Sequence, residues 1–406
     1  MRAAVLVSSF PELSEKFIVN QIAGLLDLGV DVDILASMPA QNAVGHELVL
    51  RYGLAGRTVY AGMPRSLRKR LAHLPALMAA NLRDSPLAAL RSLSPRYSTA
   101  SLSLKNPYFL RALRGRRYDV LHCHFGPNGL VGAFLKECGF AKRLVVSFHG
   151  SDINSYPDRY GRRVYREMYR AADAVTAGSR FIAAKIAANG CAPEKIRILP
   201  VGVRMDEHPP LAFANRSART ILSVGRLVEV KGFRYGVEAF AAVRKEFPEA
   251  EYLIVGQGSG SAELLSLARE LGVAEGLKLL GPQSGERVAE LYGRASVFVL
   301  PSIRARDGAE EGQGLVLQEA QASGLPVVST LVGGIPEGVR EGETGFLVPQ
   351  KDPDALADRI RRLLGDADLR ERMGRSARAF AEGNYDMRVL SARLLGIYEA
   401  ALAISS

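Results

Sequence analysis

The sequence predicts an α/β protein made of two doubly wound parallel sheets, and three observations point to it. The chain has 406 residues, too many for one small domain and a natural length for two. Short β-branched or apolar runs alternate with helical stretches, as in parallel sheets whose strands are joined by crossover helices. The same order of strand, turn and helix starts again after residue 218. Because such sheets bind ligands at the carboxyl ends of their strands, we expect the two halves to share a cleft.

The predicted strands are short runs rich in valine, isoleucine and leucine, each bounded by turn residues. In the first half of the chain they cover residues 3–7, 32–35, 120–122, 144–148, 174–176 and 196–199. In the second half they cover residues 220–224, 252–255, 277–280, 297–300 and 326–329. After Asp352 the apolar positions follow a helical spacing to the end of the chain.

A polar stretch in the middle of the chain sets the domain boundaries. Residues 201–218 contain Pro209 and Pro210 in a polar context, which is typical of a linker. We expect the last helix to pack back on the N-terminal domain. The predicted parts are an N-terminal Rossmann-like domain over 1–203, a linker over 204–218, a C-terminal Rossmann-like domain over 219–383 and a C-terminal helix over 384–406.

Composition excludes several classes of protein. Hydrophobic residues make up 48% and charged residues 23%, values typical of a packed globular chain rather than a disordered one. No apolar run approaches the roughly 18 residues that cross a bilayer, and Glu12, Glu15 and Lys16 come too early for a secretory signal. The three cysteines form no Cys-x-x-Cys pair and suit a reducing compartment. We therefore expect a cytoplasmic protein without structural zinc.

The positive charge of the chain is concentrated in one segment. Residues 64–118 hold twelve lysines and arginines against one acid, Asp84, and this net +11 equals the formal charge of the whole chain. Residues 65–82 also place apolar side chains at helical spacing, with basic residues off that stripe. Through residues 65–117 the protein could therefore bind an anionic membrane surface, peripherally on the inner face of the plasma membrane. The alternative is a helix packed on its own sheet with a solvated basic face.

Nucleic acid is not expected as a partner of this basic segment. Few aromatic residues accompany its charges, and no nucleic-acid-binding module is recognisable in the sequence.

The stretch from Glu311 to Glu319 carries the strongest functional signal. Gly312 and Gly314 allow close backbone approach at a predicted helix start, where free N–H groups and the helix dipole favour a phosphate. The two glutamates lie at different depths, and a carboxylate with two oxygens suits a pair of vicinal hydroxyls. The alternative is that glutamates near a helix start only interact with the dipole.

Several motifs together resemble the retaining family 4, or group 1, glycosyltransferases. Those of the donor-binding half lie at 223–232, 253–258, 311–319 and 333–337. Those of the N-terminal half, at 10–18, 124–126 and 148–152, resemble the branch that builds exopolysaccharides of the colanic acid and amylovoran type. The resemblance covers residues 5–398 and is weakest in the basic segment.

The resemblance implies a GT-B fold and a hexosyltransferase whose C-terminal domain holds a nucleotide-sugar donor. It implies transfer with retention of anomeric configuration, without a metal or other cofactor. The implied acceptor, bound by the N-terminal domain, is a lipid-linked oligosaccharide of exopolysaccharide or cell-surface polysaccharide biosynthesis.

The family's functional residues carry over to the matching positions. Arg226 and Lys231 would neutralise the departing diphosphate, although two solvated basic residues are the alternative. Glu311 would hold the donor sugar near its reacting carbon, Glu319 would hold the ribose hydroxyls, and His149 would reach the sugar and the reaction centre. The other implied donor-binding residues are Gly256, Gly312, Gln313, Gly314 and Leu315. The implied acceptor-binding residues are Glu15, His124 and Asp152.

Two patterns imitate metal sites. Asp31-Val-Asp33 spells the Asp-x-Asp of metal-dependent glycosyltransferases, but it opens a strand at the amino end, away from the expected cleft. His122 and His124 lie on one face of a strand end with no third ligand evident nearby. We therefore predict no metal site at either place.

Three other functions stay open from the sequence. A nucleotide-sugar epimerase of the same fold would convert the donor without any acceptor. A dinucleotide-dependent oxidoreductase would also use doubly wound halves, and Gly256-x-Gly258-x-Gly260 imitates its fingerprint, although Ser261 replaces the third glycine. A catalytically silent binder would bind the donor and release no nucleotide.

Overall fold

The computed structural model describes residues 1–12, 15–40, 47–209 and 213–404, which form two compact units. Unit 1 is Met1–Pro200 with Leu390–Ser406, and unit 2 is Val201–Val389. The described part of the stretch predicted as a linker lies in unit 2; residues 210–212 of that stretch lie outside the description. Beside it, the N–H of Val203 donates to the carbonyl of Tyr385 at 2.8 Å.

Unit 1 contains a seven-stranded parallel sheet with the strand order β3-β2-β1-β4-β5-β6-β7. Parallel strands are buried on both faces, which explains why the central strands are nearly continuous apolar runs. The strands are β1 Arg2–Phe10, β2 Asp31–Pro39, β3 Thr58–Tyr60, β4 Tyr118–His124, β5 Ala141–Phe148, β6 Ala174–Ala177 and β7 Ile196–Ile198.

The helices of unit 1 follow the crossover pattern, with an all-helical insertion between β3 and β4. They are α1 Lys16–Asp27, α2 Glu47–Arg51, α3 Leu67–Asp84, α4 Pro86–Ser92, α5 Thr99–Leu102, α6 Lys105–Ala112, α7 Gly126–Glu137, α8 Ser151–Asn154, α9 Tyr156–Tyr160, α10 Arg166–Ala171 and α11 Arg180–Ala188. The insertion, α3 to α6, is the basic segment.

Unit 2 contains a six-stranded parallel sheet with the order β10-β9-β8-β11-β12-β13. Its strands are β8 Thr220–Val224, β9 Glu251–Val255, β10 Leu277–Gly281, β11 Val297–Leu300, β12 Val327–Thr330 and β13 Gly345–Val348. Its helices are α12 Phe233–Arg244, α13 Ser261–Glu270, α14 Gly285–Arg294, α15 Leu315–Ala322, α16 Pro353–Gly365 and α17 Ala367–Tyr385, followed by α18 Met387–Ala403, which enters unit 1.

Both sheets reverse their strand order once, between β1 and β4 in unit 1 and between β8 and β11 in unit 2. This confirms the predicted class of two doubly wound parallel sheets. Ligands of such sheets bind outside the carboxyl ends of the strands at this reversal. The loops after β4, β8 and β11 are therefore the places to look for a site.

Two strands escaped the sequence prediction, β3 and β13. Each lies at the edge of its sheet, and they have only three and four residues. A run of three or four residues is too short to show a periodic apolar pattern of its own.

The last helix contributes to the core of unit 1. Leu390, Leu394 and Tyr398 of α18 are buried in the same apolar cluster as residues of β1 and β2. The hydroxyl of Tyr398 lies 2.8 Å from Nδ1 of His122, a fully buried ring on β4. This polar contact fixes the position of α18 on the sheet.

The helices of the basic segment leave much apolar surface exposed. Only Asn81 of α3 is fully buried, whereas Leu67 is 47% and Leu71 is 53% exposed. Of the predicted apolar stripe, Met78 packs against the core of unit 1, whereas the leucines at its start are exposed. No helix within the described residues is long and apolar enough to cross a membrane.

We expect Tyr398→Phe to lower the melting temperature of unit 1, because it leaves a nitrogen of the buried His122 without its partner. An unpaired buried polar group costs about 1–3 kcal/mol of unfolding free energy. Differential scanning calorimetry measures the change. Tyr160→Phe is the matched control, since Tyr160 is 46% exposed and its hydroxyl bonds to no described residue. Equal effects of the two substitutions would contradict the role given to Tyr398.

Candidate active site

The turn after β8 places a lysine at the carboxyl edge of the unit 2 sheet. A 3-10 turn covers Glu229–Lys231, and Gly232 follows with φ 63°. A Cβ at Gly232 would lie 1.9 Å from the carbonyl oxygen of Pro301, so only glycine allows this turn to lie against the end of β11. The N–H of Ile303 also donates to the carbonyl of Val230 at 2.9 Å. The loops after β8 and β11 are thereby joined.

Lys231 and Glu311 form an ion pair at this junction. Nζ of Lys231 lies 2.6 Å from Oε1 of Glu311, and the two side chains are 14% and 13% exposed. The alkyl chain of Lys231 passes over Gly225, where a Cβ would lie 3.3 Å from Cε of the lysine. The next residue, Arg226, is exposed, and its guanidinium pairs with no described residue. The site therefore holds one paired cation and one cation open to an anionic ligand.

The start of α15 supplies N–H groups close to this ion pair. Gly314 precedes the helix with φ 76°, a conformation that favours glycine. The N–H groups of Leu315 and Val316, in the first turn, donate to no described residue, as expected of a helix start. Glu311 is held by its carbonyl, which accepts a 2.9 Å hydrogen bond from Gly334. A phosphate at this helix start would meet both N–H groups and the helix dipole.

Glu319 lies one turn inside α15 and is oriented by a tyrosine that the sequence analysis missed. The hydroxyl of Tyr292, on α14, donates to Oε2 of Glu319 at 3.0 Å. Burial raises the pKa of Tyr292 well above its usual value, so the hydroxyl stays protonated and donates. Tyr292 occupies a buried position of an amphipathic helix, a place where a tyrosine gives no functional signal in sequence.

The side chain of Gln313, a residue that the resemblance implies for donor binding, is bonded within the protein. Its amide oxygen accepts from the N–H of Val201 at 2.7 Å, and its amide nitrogen donates to the carbonyl of Val201 at 2.9 Å. Both ends of the side chain are used to hold the first residue of unit 2. A ligand could meet only the backbone of Gln313.

The glycine run that imitates a dinucleotide fingerprint has a packing explanation. Gly256 has φ 136°, and a Cβ there would lie 1.9 Å from the carbonyl oxygen of Gly225. A Cβ at Gly258 would lie 2.3 Å from the carbonyl oxygen of Leu227. These glycines bring the end of β9 against the turn that carries Arg226.

In unit 1 two histidines meet at the carboxyl ends of β4 and β5. Nδ1 of His124 lies 3.0 Å from Nε2 of His149, and the two rings are stacked with centroids 5.2 Å apart. Burial lowers the pKa of His149 to about 3 and the pKa of His124 well below its usual value. Both rings are therefore neutral at pH 7.

Two phenylalanines and a third histidine surround this pair. The ring of Phe17 lies 4.8 Å and that of Phe125 4.7 Å from the ring of His149, centroid to centroid. His122 lies against the other ring, His124, at 4.5 Å. His122 itself is bonded at both nitrogens, to Tyr398 and, at 2.6 Å, to Ser147.

Asp152, which the resemblance implies for the acceptor, has its carboxylate bonded to the backbone. Its carboxylate accepts the N–H groups of Gly126, His149 and Gly150 at 2.9–3.0 Å, and the residue is 4% exposed. Burial raises the pKa of Asp152 to about 6, although the N–H donors lower it. The side chain ties together the loops after β4 and β5, which hold His124 and His149.

Glu15 comes just before α1 and carries a perturbed carboxyl group. Burial, and secondarily the charge of Glu12, raise the pKa of Glu15 to about 7. Glu12 is itself held by a 2.9 Å hydrogen bond from Ser9.

The two patterns that imitate metal sites have structural uses. Oδ2 of Asp33 accepts hydrogen bonds from Arg2, Arg116 and Tyr118 at 2.8–3.2 Å. Among the described residues, no three histidine, cysteine, aspartate or glutamate side chains are placed to hold a metal ion.

Two protein-family models match the chain, one in each half. The model described as Glycosyl transferases group 1 matches residues 206–380, and the Glycosyl transferase 4-like domain matches residues 14–202. The boundary between the two matches lies close to the boundary between units 1 and 2.

Curated relatives match over nearly the full length. The putative colanic acid biosynthesis glycosyltransferase WcaL of Escherichia coli (strain K12) is 31% identical over 416 residues, covering 98% of this chain and 100% of the relative. The amylovoran biosynthesis glycosyltransferase AmsK of Erwinia amylovora is 31% identical over 410 residues, covering 98% of this chain and 99% of the relative.

Solved structures confirm the expected GT-B fold. HepE of Anabaena, solved in complex with UDP, has a TM-score of 0.71 at 18% identity and covers 98% of this chain and 99% of its own. Sucrose-phosphate synthase of Thermosynechococcus elongatus has a TM-score of 0.71 at 22% identity and covers 100% of both chains.

We expect the side-chain carboxyl of Glu15 to titrate near pH 7 in the folded protein, against 4.5 for an ordinary glutamate. Since the folded-state pKa is the higher one, its stabilising contribution is complete below pH 4.5 and is lost as pH rises to 7. Carbon-detected NMR of the carboxyl group measures the midpoint. Glu12→Gln lowers it, because a like charge is removed, and Glu47→Gln, on α2, leaves it unchanged. A midpoint near 4.5 would refute the effect of burial.

Proposed function

The chain belongs to the group 1 glycosyltransferases, and we propose that it transfers a hexose from a nucleotide-sugar to a lipid-linked oligosaccharide during exopolysaccharide biosynthesis. Transfer retains the anomeric configuration and needs no bound metal. The observation that carries the proposal is the ion pair of Lys231 with Glu311, four residues before the start of α15.

The chemistry of the donor explains why such a pair is useful. When the bond from the anomeric carbon to the diphosphate breaks, the diphosphate leaves with the electron pair and gains negative charge. Fixed cations stabilise that charge in the transition state, which lowers the barrier without a proton transfer. Lys231 and Arg226 supply these cations, and the N–H groups of the first turn of α15 add to them. This set of groups replaces the metal ion that other transferases use for the same charge.

The two glutamates bind the neutral parts of the donor. Glu311 accepts hydrogen bonds from hydroxyls of the hexose, and Glu319 accepts those of the ribose. The hydrogen bond from Tyr292 to Oε2 of Glu319 limits the rotation of this carboxylate. The solved complexes of HepE with UDP and with UDP-glucose support a nucleotide-sugar as the class of donor.

In unit 1, His149 donates a hydrogen bond to the hexose, and the aromatic rings of Phe17 and Phe125 exclude water from its ring. The acceptor enters from the side of Glu15, whereas His124, which the resemblance also implied for the acceptor, is fully buried behind His149. The named activities of the two curated relatives support a polysaccharide repeat unit as the acceptor class.

The basic segment brings the enzyme to the membrane that carries the lipid-linked acceptor. Its helices expose leucines beside unpaired or exposed cations, a composition that matches an anionic lipid surface. The exposed leucines are Leu67, Leu71, Leu82, Leu87, Leu90, Leu93 and Leu102. The protein is thus peripheral on the cytoplasmic face.

A thermal-shift panel with UDP-glucose, GDP-mannose, ADP-glucose and dTDP-glucose identifies the donor base, because a ligand of the folded state raises the melting temperature. Release of the nucleotide is then followed with and without a membrane lipid extract. A transferase releases nucleotide faster with the extract, an epimerase converts the sugar without it, and a silent binder releases none. A change of NAD absorbance would favour an oxidoreductase.

We expect Lys231→Ala to lower turnover at least about tenfold, because one charge-assisted contact to the leaving diphosphate is lost. The control is Arg234→Ala, three residues further on α12, where the guanidinium is exposed and paired with Glu238 and Glu263. Turnover is measured as the release of nucleotide from the donor that the thermal-shift panel identifies. The melting temperature is checked for both variants. Undiminished turnover of Lys231→Ala would remove this lysine from the site.

We expect the protein to sediment with vesicles of phosphatidylglycerol and to be released by salt. Each basic residue near an anionic surface contributes about 1 kcal/mol, so reversing Arg68 and Lys69 to glutamate weakens binding at least about tenfold. Reversing Lys245 and Arg269 of unit 2 changes the net charge equally and is the control. Binding that ignores lipid charge and salt would exclude the membrane surface.

A further inference from the structure

The contact between His124 and His149 restricts the protons on both rings. The 3.0 Å distance between Nδ1 of His124 and Nε2 of His149 is a hydrogen bond between two ring nitrogens. One nitrogen must carry a proton and the other a lone pair, and both rings are neutral because they are buried. Only two arrangements are therefore possible, with either His124 or His149 as the donor.

The other nitrogen of His124 distinguishes the two arrangements. Nε2 of His124 is buried and bonds to no described residue. If His149 were the donor, His124 would have to carry its proton on this nitrogen, and an N–H would be buried without a protein acceptor. If His124 is the donor, only a lone pair lies there. Buried N–H groups without an acceptor are rare in folded proteins, so the arrangement with His124 as the donor is favoured.

We propose that His124 is a positioning residue, which donates from Nδ1 to Nε2 of His149 and holds His149 as the neutral tautomer with its proton on Nδ1. The histidine that the proposed function places at the sugar then presents an N–H. The Nδ1–H of His149 donates a hydrogen bond to a sugar oxygen and so orients and stabilises it. His149 does not act as a general base. The use at the sugar rests on the proposed function; the tautomer rests on the geometry of unit 1 alone.

The surroundings of the pair support a fixed tautomer. The ring of His149 is packed by Phe17 and Phe125, and its backbone N–H is held by the carboxylate of Asp152 at 3.0 Å. Nδ1 of His149 bonds to no described residue, and the residue is partly exposed, so this N–H remains for a ligand. A flip of the ring would move Nε2 away from His124 and break the hydrogen bond between the two rings.

The tautomer is measured directly by long-range proton–nitrogen NMR of the full chain labelled with 15N-histidine, at pH 7 and without ligand. We expect a protonated Nδ1 and an unprotonated Nε2 for His149, assigned by the loss of its signals in His149→Gln. An Nε2-protonated His149 in the wild-type protein would overturn the proposal, whatever the activity.

Two substitutions of His124 separate the hydrogen bond from simple packing. His124→Phe keeps a ring in the stack but removes the donor, so we expect His149 to move its proton to Nε2 and turnover to fall at least about tenfold. His124→Asn places an amide N–H near the position of Nδ1, and we expect it to keep the Nδ1 tautomer and turnover within about threefold. Retention of the Nδ1 tautomer in His124→Phe would overturn the proposal.

Two controls keep the outcomes distinct. Tyr398→Phe disturbs the neighbouring buried His122 and lowers stability, but we expect it to leave the His149 signals unchanged, because His124 keeps its contact. Turnover is the release of nucleotide from the donor identified by the thermal-shift panel. If His124→Phe changes the tautomer and leaves turnover intact, His149 is removed from the proposed reaction while the tautomer assignment is supported.

Discussion

Close approaches between backbone loops hold the charged groups of unit 2 in place. Gly232 lies against Pro301, Gly256 against Gly225, and Gly333 against Glu311, each with a backbone oxygen where a Cβ would have to be. No other residue type allows these approaches. They bring the ends of β8, β9, β11 and β12 together, and the ion pair of Lys231 with Glu311 is possible only because these loops meet.

The two units differ in the exposure of the titratable side chains at the carboxyl ends of their strands. Unit 2 leaves the ion pair of Lys231 with Glu311 partly exposed and the guanidinium of Arg226 exposed. Unit 1 buries His122, His124 and His149, and because burial lowers the pKa of each, these rings stay neutral and act through hydrogen bonds. Burial thus decides which unit presents charged groups to a ligand and which presents neutral ones.

Polar side chains in unit 1 connect its strands to one another and to the last helix. A chain of hydrogen bonds runs from Tyr398 through His122 and Ser147 to Thr176, and so crosses α18, β4, β5 and β6. Buried networks of this kind specify one arrangement, because any slip leaves several polar groups unpaired. The position of the loop that carries His149 therefore depends on the register of the whole sheet.

The sequence by itself determined the two sheets, since apolar runs and turn residues mark every strand except the short edge strands β3 and β13. It also determined the residue types at the site, because Arg226, Lys231, Glu311 and His149 belong to recognisable motifs. Only the tertiary structure decided their partners. The side chain of Gln313 bonds to the backbone of Val201, and the carboxylate of Asp152 accepts from three backbone N–H groups. The hydroxyl of Tyr398 bonds to a histidine 276 residues away. The contacts of Gln313 with Val201, of Asp152 with Gly126 and of Tyr398 with His122 are set by strand register and helix packing, and no local pattern encodes a contact between residues so far apart in the chain.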